Sequence, residues 1–568
     1  MGLRTAGGAG PAAFAGRLLL LLLVGATAWL AATSARLRPP APGAETTNWL
    51  AAHSLAFDHD ELFTDADAAR FRAAFTISPR GVRTDPHGGR LEAPFLAARA
   101  WAWTITVAGE RGPFLLNALA LALAALAGCR GLRAALATAA PLWMALFLFA
   151  SVAFTAVFRW QGEILAFAAV VAAGALVWGR ATAAAAQPEQ IYGGDLAART
   201  ALWPWPLAGL LLGAATVRHP AYALLALPML LDLPRSGRAG EEAGGTGRAG
   251  RGARMALFLL ALALPVAVVA TLGGAPWEAP ATHFDPALTA WNALYFVLGR
   301  HAGVLVGFLP LVALLFGPRP QGGRRYLPLV VLVAALAQLL MAPFDWAGDP
   351  SAVGNPWFLP LYGALLFCAG PTLSLRAALL VGLASAPVLA PFWLAPLSDG
   401  TRPPALLAPF TSAIRERLPF ETSLRELPGS AEVVRAGVRL RSTGPSIRPA
   451  DGRFVLASER ASVLVESDHP LAAVRLDFSA SAPGALTVEG GRSGTTTFRP
   501  SGEVAFEIVL GSPTRRHPLW WSRAPVSIYE LQLALPAPSR MAAQGPAAEP
   551  VTFDLGLARV AGPEAGSR

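Results

Sequence analysis

The sequence predicts a polytopic α-helical membrane protein of about eleven transmembrane helices with a C-terminal all-β sandwich domain. Three observations predict it. Hydrophobic residues make up 54% of the 568 residues and charged ones 14%, with a mean hydropathy of +0.46, a composition too apolar and charge-poor for an ordinary soluble enzyme. Before residue 396, apolar runs recur at lengths close to the roughly 20 residues that an α-helix needs to cross about 30 Å of hydrocarbon. After Pro396 the pattern changes to short, partly alternating runs broken by Gly, Pro, Ser and Asp, which is the signature of antiparallel strands.

The apolar runs lie near 16–33, 113–128, 134–158, 161–179, 200–217, 219–233, 255–272, 303–317, 327–343, 357–370 and 376–396. The first also fits a cleaved signal, because Arg17 precedes a leucine core that leads to Ala31, Ala32 and Ala35. The chain has no lysine, so its 46 basic residues are all arginine, and its formal charge is +10. Much of the positive excess lies in short loops such as Arg235–Arg254 and Gly317–Tyr326. That is the distribution of cytoplasmic loops under the positive-inside rule and not of a nucleic-acid-binding face. With the N-terminus inside, the arginine-rich loops fall in the cytoplasm, and the loop 34–112 and everything after residue 396 fall outside. Cys129 and Cys368 lie on different expected helices, so no disulfide framework is implied.

The expected domains are therefore a membrane domain over 1–396, a linker over 397–430 and an extracytoplasmic β-sandwich over 431–568. Its strands are expected in VVRAGVRLRS, GRFVLAS, ASVLVES, AAVRLDFSA, ALTVEGG, EVAFEIVLG and VSIYELQLAL, with VTFDLGLARV after a loop at Pro536–Pro550. Trp520 and Trp521 lie beside Arg515, Arg516 and His517. Aromatic pairs stack on sugars, but adjacent strand residues face opposite sides, so one of the two is expected in the core.

The stretch SLAFDHDELFTDADAARF, Ser54–Phe71, sets Asp58, Asp60 and Glu61 directly after an apolar segment. One reading is a solvated helix capped by Thr64 or Asp65. The other is chemical: a carboxylate held at the membrane surface accepts a proton from a hydroxyl nucleophile, or Asp58 and Asp60 together hold a divalent cation, Mg or Mn, that neutralises a phosphate. Further candidates are Arg159 and Glu163 in FRWQGE, spaced for a pair one helical turn apart. Arg218 and His219 in VRHPAY, and Arg300 and His301 in VLGRHAG, offer guanidinium groups suited to a lipid phosphate. His283, Asp285, Asp345 and Asp349 read as caps or turn residues, and Trp101 and Trp103 as an interfacial aromatic belt.

A polytopic membrane domain whose first outer loop opens on an acidic pair, here Asp58 and Asp60, and which ends in an outer β-domain resembles the C-type (GT-C) membrane glycosyltransferases. The likeness is to the bacterial relatives of protein O-mannosyltransferase and of the lipid A aminoarabinose transferase. The resemblance implies catalysis or metal binding by Asp58, with Asp60 or Glu61 assisting, and a polyprenyl-phosphate-linked sugar donor. It also implies transfer to a glycan, lipid or protein acceptor on the outer, periplasmic face of the cytoplasmic (inner) membrane; the substrate contacts expected from Arg159, Glu163, Arg218, His219, Arg300 and His301 rest on the residues themselves, with Glu163 at a place where the superfamily often adds a second acidic residue. Where some relatives carry a basic residue before a proline, this chain reads RLEAPFLAARAWAW, with Glu92 and Ala93. Two rival readings are a transporter or flippase for a lipid-linked glycan and a non-catalytic cell-envelope assembly protein. No Walker motif, Rossmann fingerprint, Ser-His-Asp pattern or zinc-ligand cluster stands out in the sequence.

Overall fold

Among the described residues, each apolar run that reads as a span is mainly helical, the conformation in which a backbone satisfies its own hydrogen bonds. The structure is a computed structural model. It describes residues 11–34, 39–40, 43–75, 79, 82–84, 89–186, 203–232, 247–272, 286–299, 301–315, 320, 322–343, 346–348, 354–369, 375–397, 418–419 and 421. Beyond these it describes 432–435, 438–443, 447–450, 453–456, 460–467, 470–480, 486–491, 494–498, 503–510, 515–516, 527–534 and 553–561. The chain divides into two units. One comprises Met1–Thr289, His301–Ala342 and Trp346–Thr411, and the other comprises Ala290–Arg300, Pro343–Asp345 and Ser412–Arg568.

The first unit is helical. Among the described residues, four helices are long and apolar enough to cross a membrane: Phe14–Ser34, Phe95–Arg133, Gly252–Thr271 and Gly322–Met341. A bent pair, Ala137–Phe149 with Val152–Phe158, raises the number to five if it counts as one span. Other expected spans form shorter apolar helices, such as Pro220–Asp232 and Pro356–Cys368, whereas Glu163–Ala186 and Leu375–Leu394 run to 24 and 20 residues. Prolines at the starts of Pro220–Leu225, Pro310–Leu315 and Pro356–Phe358 account for the shortening, since each removes a backbone donor and restricts the residue before it. Apolar side chains stand outward on these helices, with Leu21 and Leu22 in α1 (Pro11–Ser34) each more than half exposed. Together these helices suggest a membrane protein.

The segment expected as an outer loop over 34–112 is largely helical: α2 (Ala44–Phe57), α3 (Asp65–Phe75) and α4 (Phe95–Ala108). A one-turn 3₁₀ segment, Gly109–Arg111, joins α4 to α5 (Gly112–Leu136), so the second candidate span begins at Phe95 and not near residue 113. Trp101 in α4 is fully buried, whereas Trp103 is exposed, so only the second fits an interfacial position. Almost all of α2 is buried, and it packs on α4. His53 anchors it there: the ring stacks on Trp49 at 3.6 Å, Nδ1 lies 2.8 Å from the Trp49 carbonyl, and Nε2 lies 2.9 Å from Glu110 Oε1.

Among the described residues the most extensive helix contact lies between Pro204–Arg218 and Gly247–Thr271. Gly209 and Gly213, four residues apart on one face, let the backbones meet, and a Cβ at either position would collide with the carbonyl oxygens of Phe258 and Leu262. Helix association in lipid relies on such small-residue contacts because burial from water contributes little there.

In the second unit the described strands form two antiparallel sheets, ordered β1-β2-β5-β11-β7-β8, with β10 on β11, and β3-β4-β12-β6-β9. Their ranges begin with β1 Glu432–Arg435, β2 Val438–Thr443, β3 Ile447–Ala450, β4 Arg453–Leu456, β5 Arg460–Ser467 and β6 Ala473–Ala480. They continue with β7 Leu486–Gly491, β8 Gly494–Phe498, β9 Glu503–Val509, β10 Arg515–Arg516, β11 Ser527–Ala534 and β12 Phe553–Ala561. All eight expected strand runs appear. Val463, Leu464 and Val465 of β5 are buried, as befits an interior strand, and β5 pairs with β11 over its whole length. The Tyr529 hydroxyl accepts from Leu471 N at 2.8 Å, which ties the first sheet to the residues leading into β6. The expected linker over 397–430 and Trp520, Trp521 and His517 lie almost wholly outside the described residues.

The glycine contact generates a test. Gly213→Leu is expected to destabilise the helical unit by about 1–3 kcal/mol, seen as a lowered midpoint of thermal unfolding in detergent, while Leu211→Ala on the same helix changes it little.

Candidate functional site

The site is built around a turn held from three sides. Asn48 of α2 donates to the Trp160 carbonyl at 2.7 Å, and Asn117 of α5 donates to the Arg159 carbonyl at 3.0 Å while its own Oδ1 accepts from Trp101 Nε1 of α4 at 3.2 Å. The Trp160 ring lies among His53, Trp101 and Phe114, with centroids 5.5–5.9 Å away. Each contact comes from a different helix, so the backbone of 157–160 has little freedom.

That turn exists because the helix before it is broken. α6 (Ala140–Phe149) stops at Ala150, and the chain bends by 66° into a 3₁₀ run, Val152–Phe158. The carbonyl that the break frees at Phe147 accepts from Ser151 Oγ at 2.8 Å and from the Tyr362 hydroxyl at 2.7 Å, and Tyr362 stacks on Phe147 at 3.8 Å. Side-chain donors thus stand in for lost backbone bonds, the condition for irregular backbone at membrane depth. A 3₁₀ run of seven residues is longer than is common for that geometry and often marks a functional segment.

Two charge pairs flank the turn. Arg159 and Glu45, at the first turn of α2, are both almost fully buried and lie 3.5 Å apart. Glu163 begins α7 (Glu163–Ala186), and its Oε1 accepts from Arg218 Nε at 2.7 Å, while Oε2 is buried without a hydrogen-bond partner. The sequence spacing predicts Arg159 with Glu163; the structure pairs each with a distant residue instead. Arg159 is extended, with φ −122° and ψ 150°, and stands outside α7, so the two side chains do not share a helix face.

His219 ends the Pro204–Arg218 helix. Its Nδ1 accepts from Ala221 N at 3.2 Å, which places the ring proton on Nε2 in the neutral form, and the ring lies 4.8 Å from Trp357. The Tyr222 hydroxyl and Gln338 Nε2 both donate to the Trp357 carbonyl, at 2.7 and 3.2 Å. Glu163, Arg218 and His219 therefore lie in one largely buried polar region, with Arg159 on the turn that leads into α7. Beside it lies a small cavity lined in part by Thr155, Arg159, Gln161 and Asn355.

The acidic stretch is organised differently. Both oxygens of Asp58 face the Arg70 guanidinium, at 2.8 and 2.9 Å, and Arg70 also binds Asp67. Asp60 Oδ1 accepts from Ser54 Oγ at 2.7 Å and from Leu62 N at 3.1 Å, and Glu61 takes Arg90 on one oxygen and Arg99 on the other, at 2.6 Å each. Thr64 caps α3 through Asp67, as the capped-helix reading expects. These three carboxylates brace the loop. The oxygens of Asp58 and Asp60 are engaged by a guanidinium, a hydroxyl and a backbone N–H. Among the described residues no group of three or more His, Cys, Asp or Glu stands together as metal ligands.

His301 lies in the helical unit, where its carbonyl accepts from Gly354 N at 2.9 Å. Arg300, His283, Asp285, Asp345 and Asp349 lie outside the described residues. The residues that sequence reasoning misses are Glu45, Asn48, Asn117 and Asn355. A single acidic residue in GAETTNW and isolated asparagines in apolar runs are the available signals, since polar groups there need partners.

Comparison of the chain with protein-family models, with curated proteins and with solved structures gives no match.

The Glu45–Arg159 pair makes a stability test. Glu45→Ala leaves Arg159 buried without this carboxylate and is expected to cost about 3–5 kcal/mol, whereas replacing both residues together, Glu45→Leu with Arg159→Met, recovers most of that loss. Thermal unfolding in nanodiscs reads the difference.

Proposed function

We propose that the chain is a membrane glycosyltransferase of the C type, moving a sugar from a polyprenyl-phosphate-linked donor to a glycan, lipid or protein acceptor on the outer face of the cytoplasmic membrane. The observation that supports this most is the burial of two arginine–carboxylate pairs, Glu45–Arg159 and Glu163–Arg218, within a unit of apolar helices. Ionisable groups in such surroundings are costly and mark substrate paths. Arg218, with 21% of its side chain exposed, is the guanidinium for the donor phosphate. Glu163 orients it and offers Oε2, buried and without a hydrogen-bond partner, as base. The acceptor hydroxyl gives its proton to Glu163, its oxygen bonds to the anomeric carbon, and the bond from that carbon to the phosphate oxygen breaks. The electron pair leaves with the phosphate, whose added charge Arg218 stabilises. Asp58, Asp60 and Glu61 hold the loop in place, and no step is assigned to a metal. In this reading the short helices complete about eleven spans, the N-terminus is inside, and the two sheets form a β-sandwich outside.

The transporter reading has one observation in its favour: the 66° break before Val152–Phe158 sets Arg159 and Glu163 beside irregular backbone, as in transport sites. A single set of assays separates the two. Wild type in nanodiscs is expected to move radiolabel from polyprenyl-phosphate-linked sugars into a new product, and Glu163→Gln to slow this by about 10²-fold or more. Asp58→Asn is expected to retain transfer, and its inactivity would return the base to Asp58. Absence of transfer by wild type, together with lipid-linked glycan crossing in proteoliposomes, would favour the transporter.

A further inference from the structure

Helix α4 is apolar on two sides, and only one of them meets protein. Phe95, Ala98, Trp101 and Ile105 are buried, whereas Leu96, Trp103 and Val107 stand outward, Trp103 at 67% and Val107 at 70% exposure. A helix that is apolar all round needs apolar surroundings all round. Its position shows where they come from. α4 does not extend α5 as one rod: the chain turns at Gly109, whose φ of 60° suits glycine. Trp101 then meets Asn117, sixteen residues on, at 3.2 Å, where one straight helix would hold them about 24 Å apart. At its other end α4 packs Phe95 with Val217 and Val269, near the ends of Pro204–Arg218 and Gly247–Thr271. A Cβ at Gly162, just before α7, would meet the Ala97 side chain. α4 therefore crosses the ends of four helices on one side of the unit, and its 14 residues, about 21 Å long, are too few to cross hydrocarbon.

Two of those helices are candidate spans that carry outward apolar stripes up to α4. Leu115, Leu119 and Leu123 form one on α5, and Leu260, Leu264 and Val268 form the other on Gly247–Thr271. Arg99 stands between Leu96 and Trp103 on the outer face. Its Nη1 donates to Glu61 Oε1 at 2.6 Å, and its guanidinium lies 3.4 Å over the Phe95 ring. Glu61 is shared with Arg90, and Arg99 Nε and Nη2 donate to no described residue. An arginine among aliphatic and tryptophan side chains suits the membrane interface, where its stem covers apolar surface and its head reaches phosphate. We propose that the outer face of α4 is a docking surface for an anionic phospholipid layer, with Leu96, Trp103 and Val107 among the upper acyl chains and Arg99 on a headgroup phosphate. The docked helix borders the Glu163–Arg218 site through Ala97, and the docking holds whichever reaction that site performs.

The test uses full-length protein in nanodiscs with Cys129→Ala and Cys368→Ala, carrying one nitroxide at a time at Trp103→Cys or Val107→Cys. Leu123→Cys on the α5 stripe gives the membrane reference, and Glu507→Cys, exposed on β9, gives the water reference. Collisions with oxygen, which concentrates in lipid, and with a water-soluble nickel chelate report the surroundings. The oxygen-to-nickel ratio at both α4 positions is expected to lie several-fold above that at Glu507→Cys and toward that at Leu123→Cys. A ratio equal to that at Glu507→Cys, or protection from both reagents as under a protein partner, would overturn the docking. Phosphatidylglycerol titrated in uncharged detergent and read by native mass spectrometry is expected to bind Arg99→Gln about fivefold more weakly than wild type or Arg99→Lys. Equal binding by all three, or displacement of the lipid by inorganic phosphate, would overturn the role of Arg99.

Discussion

Keeping charge balanced inside an apolar helical unit is the constraint on which the rest of the site depends. Glu45 and Arg159 lie within a few ångströms of each other and away from water, and each is costly to bury without the other. Their meeting requires α2 to be drawn against the turn at 157–160, which explains why a segment between two spans is buried instead of solvated. Asn48 and Asn117 then satisfy the carbonyls that the turn leaves open. Buried ion pairs seldom stabilise a protein more than well-packed apolar groups of the same volume would. Two of them in one region therefore point to use as well as to architecture.

The broken helix provides the same region with its irregular backbone. A continuous helix through residues 140–158 would carry Arg159 onward on a regular cylinder and present it according to helix periodicity. The bend redirects the chain, and Ser151 and Tyr362 donate to the Phe147 carbonyl beside it. Arg218 reaches Glu163 from the end of another helix, just before Pro220 restarts the chain as a 3₁₀ turn. Sites of this kind need helix ends, and the prolines of this sequence create them.

Much of the architecture was legible in the residues. Apolar runs located the helices, and alternation located the strands, whereas β3, β8 and β10 escaped because IRPA, GTTTF and a two-residue strand carry no alternating apolar pattern. Span lengths were less legible, since a proline within an apolar run divides it without changing its hydropathy. The site was half legible. Arg159, Glu163, Arg218 and His219 stood out as ionisable groups at the ends of apolar runs, but their partners did not. Spacing along the chain suggests local pairs, whereas Glu45 and Arg218 arrive from distant segments through packing. The acidic stretch drew attention by its density, yet Arg70, Arg90 and Arg99 occupy Asp58 and Glu61 for reasons that only the fold-back of α3, of α4 and of the segment between them reveals.

The most direct measurement is a double-mutant cycle on Glu163 and Arg218, using Glu163→Gln and Arg218→Met singly and together, with unfolding in nanodiscs as the readout. A coupling energy of about 1–3 kcal/mol would show that the two side chains meet in the folded protein, as the account requires. A coupling within about 0.5 kcal/mol of zero would mean that the pair does not form, and the site built on it would fall.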